Sequence, residues 1–522
     1  MNTLDRIRVL ASAPVGVWLL ASLAVSPAAA GGDWLTFAEH GADAGQLDPH
    51  VSVKSPDMIL FGQMFNGLVR FRPGSMDPAT IEPDLAERWE SPADGLTWTF
   101  HLRKGAQFHH GYGEVTAEDI AFSLERAANP KISAFASNYA DVASVKALDR
   151  YTVRITLRNP IPSLLALVAN YQGGNVVSKK AAQELGDNFK NKPTGTGPFA
   201  FSEYRPKQWV KLVAHTGYFR GTPKLKGLTF RYVPSDASRE LAFEKGELDL
   251  FFGKRDDKWI ARLREREGVV VDVIGPGELR TLHLNVTQKP LSDIRVRRAI
   301  AHAMNREEMM LATGRSITQA GYSPVPLGYL GSTSDVPRYD YDPEKAKALL
   351  KEAGYPDGLT FKVLGSSRPT MLHPLQLIQE QLRRVGIKLD FDIIDHSAYH
   401  AQIRKDLSPM VFYGAARFPI ADVFLTQFYH SRSIVNTPTA VTNFSHCNVA
   451  DAEIDAARVE TNLQKQLELW RTAQRKIVDY VCSVSLFEAV SPWVRRKNLD
   501  YGYPLKASLS YGPLITEQTE LR

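Results

Sequence analysis

The sequence predicts an α/β protein. Three observations carry that reading: capped helices alternate with apolar strands over residues 292–393, a strand-rich stretch precedes them, and 522 residues exceed what one core holds. Ser292 caps a helix whose Val296, Ala299, Ile300 and Ala303 line one face. Asp342 and Pro343 open a second helix as cap and first-turn proline, and Gly354 stops it. A turn at 355–358 feeds a strand over 359–364. Leu375, Ile378, Leu382 and Val385 make the next helical stripe, ended by Gly386. Ile387, Leu389, Phe391 and Ile393 then alternate as a strand. Alternation at these lengths predicts a sheet that is at least partly parallel.

Residues 31–277 read as strands with scattered helices. A first strand covers 34–40 and leads to Leu47-Asp48-Pro49-His50. Residues 151–157 alternate as another strand. Residues 199–204 and 209–214 form a hairpin about a turn near Pro206. A helix ending at Gly246 leads into a strand over 248–252. The most tightly punctuated segment is 81–126, IEPDLAERWESPADGLTWTFHLRKGAQFHHGYGEVTAEDIAFSLER, which reads as helix, strand, turn and helix. Leu96, Trp98, Phe100 and Leu102 alternate with Thr97, Thr99, His101 and Arg103. Ser91-Pro92-Ala93-Asp94-Gly95 supplies the turn before them, and Thr116 with Asp119 forms a capping box after them. The chain has no low-complexity tract and no obvious internal repeat.

Length predicts two or three domains. Apolar content of 44% with 23% charged residues is ordinary for a soluble globular chain. The net charge of +6, from 63 basic and 57 acidic residues, is mixed along the sequence and gives no nucleic-acid footprint. Arg6 and Arg8 precede an apolar stretch over 9–25, and Ala28-Ala29-Ala30 offers a cleavage site. Residues 1–30 therefore read as a secretory leader cut after Ala30, with an uncleaved anchor as the alternative. Neither of the two cysteines, Cys447 and Cys482, stands at that site, so a lipoprotein is not expected. In an oxidising compartment the two are free to pair, and the sequence leaves open whether they do.

The motifs of catalysis are missing. There is no H-E-x-x-H, no phosphate-binding loop and no G-x-S-x-G, and Gly195-Thr196-Gly197 lacks the third glycine of a dinucleotide loop. His109-His110 would point to opposite faces of an extended segment and read as turn or surface residues. Asp119 and Asp342 read as helix caps, and the 13 histidines, scattered and without helical i, i+4 pairs, are not expected to build a catalytic centre. No catalytic residue, metal site or cofactor is expected.

Five blocks, in order, resemble one family. Besides 81–126 they are Thr194-Gly195-Thr196-Gly197-Pro198-Phe199, AFEKGELDL (242–250), PLSDIRVRRAIAHAMN (290–305) and YDPEKAKALLKEAGYPDG (341–358). The chain resembles the family 5 extracellular solute-binding proteins, the peptide- and nickel-type receptors of bacterial ABC importers. The resemblance implies a two-lobed periplasmic-binding-protein-like α/β fold of the large peptide-binding type, with an extra subdomain on the first lobe. Residues 31–52, 194–280 and 491–522 would form lobe I, 53–193 the extra subdomain and 281–490 lobe II. Strands near 281–285 and 485–490 would cross between the lobes. It further implies a monomer in the periplasm that closes on a small-molecule or peptide ligand and docks on an ABC permease with its ATPase subunits. Nucleic acid is not an expected partner.

The ligand is less defined. Peptide-binding members carry a tryptophan followed by an aspartate that pairs with the peptide ammonium. Here Ala415 stands at the tryptophan position and Arg417 or Phe418 at the aspartate position. A cation there would repel an ammonium and suit a carboxylate or phosphate. Arg417, Phe418, Tyr413 and Asp43 are thus candidate ligand contacts. Met58 falls where a pocket methionine of the nickel-type branch would lie, although a methionine there more often reads as plain packing. The expectation is a small peptide, a conjugate or another anionic organic solute. The alternatives are a metal-chelate receptor or a secreted hydrolase or chaperone on this scaffold.

Overall fold

The computed structural model describes residues 33–522 except 45, 53, 93, 162 and 437–441. The expected leader lies outside the described residues. Two long strands organise the rest. Val269–Leu284 and Ser483–Arg496 pair antiparallel from Val269 opposite Arg496 to His283 opposite Ser483, with a register shift between Ile274 and Glu278. They lie inside one sheet whose order is Met410–Ala415, Val269–Leu284, Ser483–Arg496, Leu250–Phe252, Trp34–Glu39, Gly227–Tyr232, Trp209–Ala214 and Phe199–Arg205. Thr318–Ala320 adds to Ser483–Arg496. Trp34–Glu39 runs parallel to both its neighbours, as the partly parallel prediction requires. A second parallel pair, Leu359–Ser366 with Ile387–Ile394, is joined through the helix Pro369–Arg383.

The two long strands belong to two cores. Ile274 and Trp493 pack in a first core with Leu35, Phe37, Phe230 and Leu250. Leu279, Leu282, Leu284, Leu486 and Ala489 pack in a second core with Val296, Ile378 and Trp470. Each strand therefore changes core within a few residues, between 274 and 279 on one and between 489 and 493 on the other. The expected crossing at 281–285 lies inside the second core. We refer to the bodies around these cores as the first and second lobes.

An outer layer extends the first lobe. Ala86–Glu90, Thr97–Leu102, Thr152–Leu157 and Val142–Asp149 form a four-stranded antiparallel sheet that packs the helix Ala117–Ala128. The helix expected at the start of 81–126 is replaced by the strands Ile81–Pro83 and Ala86–Glu90. Trp89 lies directly across from Phe100, with ring centroids 6.3 Å apart, and this cross-strand pairing overrides the helix preference of Ala, Glu and Arg. The capping box forms as expected, with the Thr116 amide donating to the Asp119 carboxylate at 3.0 Å.

Two further expectations shift. Ser292 is not the helix cap: its amide is bound to the Gln288 carbonyl, and Asp293 caps Ile294–Ala303 instead. His109 is neither extended nor at the surface. It lies buried in a single helical turn, with Nε2 2.9 Å from the Gly197 carbonyl oxygen. Cys447 and Cys482 form a disulfide that ties the loop after Asn443 to the start of the strand Ser483–Arg496. Among the described residues no helix is long and apolar enough to cross a membrane.

The outer layer is bolted to the first lobe by a buried ion pair. Arg126, in the last turn of its helix, donates to both carboxylate oxygens of Asp48, and its Nη1 also lies 3.0 Å from His50 Nδ1. Asp48 is 4% exposed, so deleting it strands a buried guanidinium. Asp48→Ala is expected to destabilise the protein by about 3 kcal/mol. Urea denaturation checks this as a lowered midpoint at unchanged slope.

Candidate functional site

Between the lobes, where the long strands change core, the chain gathers charge. Glu278 and Arg280 are two residues apart on Val269–Leu284 and so share one face of the strand. The Arg280 guanidinium donates through Nη2 to the Glu278 carboxylate and through Nη1 to Met371 Sδ. It lies across the backbone of Gly414, its register partner on Met410–Ala415. A Cβ built on Gly414 would come within 2.2 Å of Nη1, so glycine is what leaves Arg280 its place.

Two more arginines face the same carboxylate. Arg255 follows Leu250–Phe252 in the first lobe and donates to the Val490 carbonyl and the Ser491 hydroxyl, next to Ala489, the register partner of Glu278. Arg368 is the N-cap of Pro369–Arg383 in the second lobe, three residues before Met371, and no side chain caps that helix end. Burial pushes the Glu278 carboxyl up, but Arg280, Arg255 and Arg368, with His40, outweigh it and bring it to about 2. Burial lowers Arg255 despite the attraction of Glu278, with Arg280 and Arg368 adding repulsion. Among the described residues neither Arg255 nor Arg368 has a carboxylate within ion-pair distance.

A histidine pair adjoins Arg368. His396 and His400 stand four apart on the helix His396–Ile403, with Nε2 atoms 3.3 Å apart and ring centroids 4.6 Å apart. His396 Nδ1 meets the Ser366 hydroxyl at 2.9 Å, and its Nε2 lies 3.5 Å from Arg368 Nη1. Burial, then His396, Arg404 and Arg368, lower His400 to about 4, so the pair is neutral at pH 7. The anionic side of the cluster is thus Glu278, with Asp395 acting on His396 from its edge.

The residues expected from the sequence divide. Phe418 packs against both cores, with its ring 5.6 Å from Phe71 and 6.4 Å from Tyr171 in the first lobe. Arg417 is half-buried: Nε donates to Gln427 at 2.7 Å, Nη1 to the Ala416 carbonyl, and the guanidinium lies 5.2 Å over Phe428. Its backbone is held by the Tyr329 hydroxyl, and its charge acts on Tyr171, Tyr329 and Tyr511. Tyr511 feels both Arg417 and Glu278 and so links the aromatic surface to the charge cluster. Tyr413 is 8% exposed, with its ring edge-on to His400. Asp43 accepts hydrogen bonds from the Tyr204 hydroxyl and the Lys207 amide, tying the 199–214 hairpin to the first strand's exit. Met58 is buried in the first core. A cavity beneath Tyr413, lined also by His283, Phe428 and Tyr429, is about 10 Å³ and holds no more than about one water.

Sequence reading missed Glu278, Arg280, Arg255, Arg368 and the histidine pair. Two signals were present: a Glu-x-Arg between apolar runs of one strand, and histidines at 396 and 400, spaced four apart, against the expectation that no such pair occurs. Nothing in the sequence brings Arg255 to them, because that contact is made across the sheet.

Two lobes joined by two strands, with charges and aromatic rings converging on the crossing, define a protein that encloses a small solute. The comparisons agree. The sequence model described as Bacterial extracellular solute-binding proteins, family 5 Middle matches residues 80–436, and the chain belongs to this family. Heme-binding protein A of Haemophilus influenzae is 29% identical over 468 residues, covering 80% of this chain and 82% of that one. Among solved structures, MoaA of A. tumefacien R10 in complex with mannopinic acid is 47% identical, with TM-score 0.85 over 94% of this chain and 100% of that one. The ABC transporter-associated periplasmic binding protein DppA of Helicobacter pylori, in complex with a peptide, is 27% identical, with TM-score 0.79 over 94% and 98%. Proteins of the family bind small-molecule or peptide ligands and work with ABC permeases, and the relatives are binding proteins rather than enzymes.

If Arg280 holds Glu278 ionised, Arg280→Met is expected to raise the Glu278 pKa from about 2 to the ordinary carboxylate range or above. Carbon-13 NMR titration of the glutamate carboxyls reads this, and Gly414→Ala should move the same resonance in the same direction.

Proposed function

We propose that this protein is the receptor through which an ABC importer takes up a small organic acid. The carrying observation is the pair of guanidiniums, Arg255 and Arg368, that face the lobe crossing without a carboxylate partner. Desolvating cations in a closing cleft is costly unless an anion meets them, and a guanidinium fork suits a carboxylate. A free-amine peptide is disfavoured, since Ala415 and the Arg417–Phe418 step replace the tryptophan and aspartate that receive an ammonium. The acid bound by MoaA, at 47% identity, supports the same ligand class.

In this reading the ligand lies between Tyr413, Arg417 and Phe418 of the second lobe and the facing surface of the first. Lobe I is 31–52, 194–280 and 491–522, with its last few residues before 281 already in the second core, the extra subdomain is 53–193 and lobe II is 281–490. Residues 1–30 are a leader removed on export to the periplasm, where the monomer meets the permease. Catalysis plays no part.

Calorimetric titration tests the ligand class: mannopinic acid should bind and free-amine dipeptides should not. Arg417→Ala should weaken acid binding at least tenfold while unfolding stays cooperative. A tight dipeptide complex would overturn the reading, and unchanged affinity would remove Arg417 from the site.

A further inference from the structure

The crossing carries a second buried carboxylate, on the other face of the sheet. Glu488 stands opposite Leu279 on Ser483–Arg496, and strand alternation turns it away from Phe487 and Ala489, the register partners of Arg280 and Glu278. It is 2% exposed, and among the described residues no cation pairs with it. Two donors hold it instead: the Leu327 amide on Oε1 at 2.8 Å and the Gln319 side-chain amide on Oε2 at 2.7 Å. Burial raises its carboxyl, and those two hydrogen bonds oppose the rise. Gly277, in the register break, makes the room, since a Cβ there would come within 2.9 Å of the Glu488 Cβ.

Through Leu327 this carboxylate holds a loop, and the loop holds the segment that carries Arg417 and Phe418. The loop's ends are both tied to the buried amide of Gln474: the Ser323 hydroxyl donates to its oxygen, and its nitrogen donates to the Gly331 carbonyl. Between them the Tyr329 hydroxyl donates to the Arg417 carbonyl at 2.9 Å and accepts from the Arg417 amide at 3.3 Å. Leu330 bridges to Ile420, its amide bonded to the Pro419 carbonyl and its carbonyl to the Ala421 amide. Leu327 is 47% exposed, so its amide on Glu488 fixes the middle of the loop, and burial of its side chain does not. One path of hydrogen bonds and short backbone thus joins the crossing strand to 417–421. We propose that Glu488 is a positioning residue for the ligand site: it sets the 326–330 loop, and through Tyr329 the backbone of Arg417, without touching the ligand. This role rests on the proposed part of Arg417 and Phe418 in holding an organic acid. Both oxygens of Glu488 are engaged already, and its loss leaves the Leu327 amide without its acceptor.

Two readouts test this role. Hydrogen exchange of the ligand-free protein, read by mass spectrometry, should be faster at 327–331 and 417–421 in Glu488→Ala, while Trp34–Glu39 and Gly227–Tyr232 of the first lobe stay protected. Gln319→Ala, at an exposed position, removes one of the two donors and should speed the same two segments to a lesser degree, which keeps the test open if the first variant does not fold. Calorimetry with mannopinic acid should show binding about tenfold weaker in Glu488→Ala and in Tyr329→Phe. The double variant should be within about twofold of the weaker single one, because both changes break one path. Glu488→Gln keeps an acceptor for Leu327 and a partner for Gln319, so it should bind within about twofold of the wild type. Exchange unchanged at 417–421 in both alanine variants, or losses that multiply in the double variant, would overturn the path. A loss in Glu488→Gln as large as in Glu488→Ala would overturn positioning in favour of a charge felt by the ligand. Failure of mannopinic acid to bind the wild type would remove the organic-acid reading alone, since exchange judges the path without a ligand.

Discussion

The strand pair Val269–Leu284 and Ser483–Arg496 is the constraint on which everything else depends. Each strand is buried in both lobes, and the ladder breaks register twice near the crossing, between Ile274 and Glu278 and between Arg280 and Thr281. A register shift there leaves backbone that can absorb a change of angle while the paired segments on either side stay rigid. The same geometry fixes where ligand chemistry is felt most. Side chains on the crossing meet both lobes at once, and Glu278 and Arg280 are placed there by strand alternation alone.

Charge at such a position is expensive. Arg280 is 5% exposed, and its compensation comes from Glu278 alongside the thioether of Met371, with Gly414 leaving the room. That arrangement is rigid and complete without a ligand. Arg255 and Arg368 have no such carboxylate partner among the described residues, and the proposed ligand role rests on that difference. The rings of Phe71, Tyr171 and Phe418 supply apolar contact between the lobes, and the Tyr511 hydroxyl donates across to the Ala416 carbonyl.

Local order was legible in the sequence and long-range assembly was not. Strand alternation in 199–214, the caps at Thr116 and Asp342 and the stops at Gly246, Gly354 and Gly386 appear as read, because each follows from residues within one turn or one strand. Ala86–Glu90 was misread because its helix-favouring composition is overruled by Trp89 meeting Phe100 from the next strand. The disulfide was undecidable for the same reason, since 35 residues separate its cysteines. For the site, the departure at 413–418 includes Phe418, which the structure packs against both cores. Arg255 and Arg368 carry no local motif, and Arg255 meets the crossing only because Leu250–Phe252 lies beside Ser483–Arg496 in the sheet.

The central claim is that the cleft is built for an acid. Mass spectrometry of ligand released from protein purified from its native host addresses this most directly. The account predicts a small molecule that is anionic at neutral pH and lost from the protein when Arg255 and Arg368 are both replaced by methionine. A free-amine peptide or a neutral solute recovered at one equivalent would contradict it.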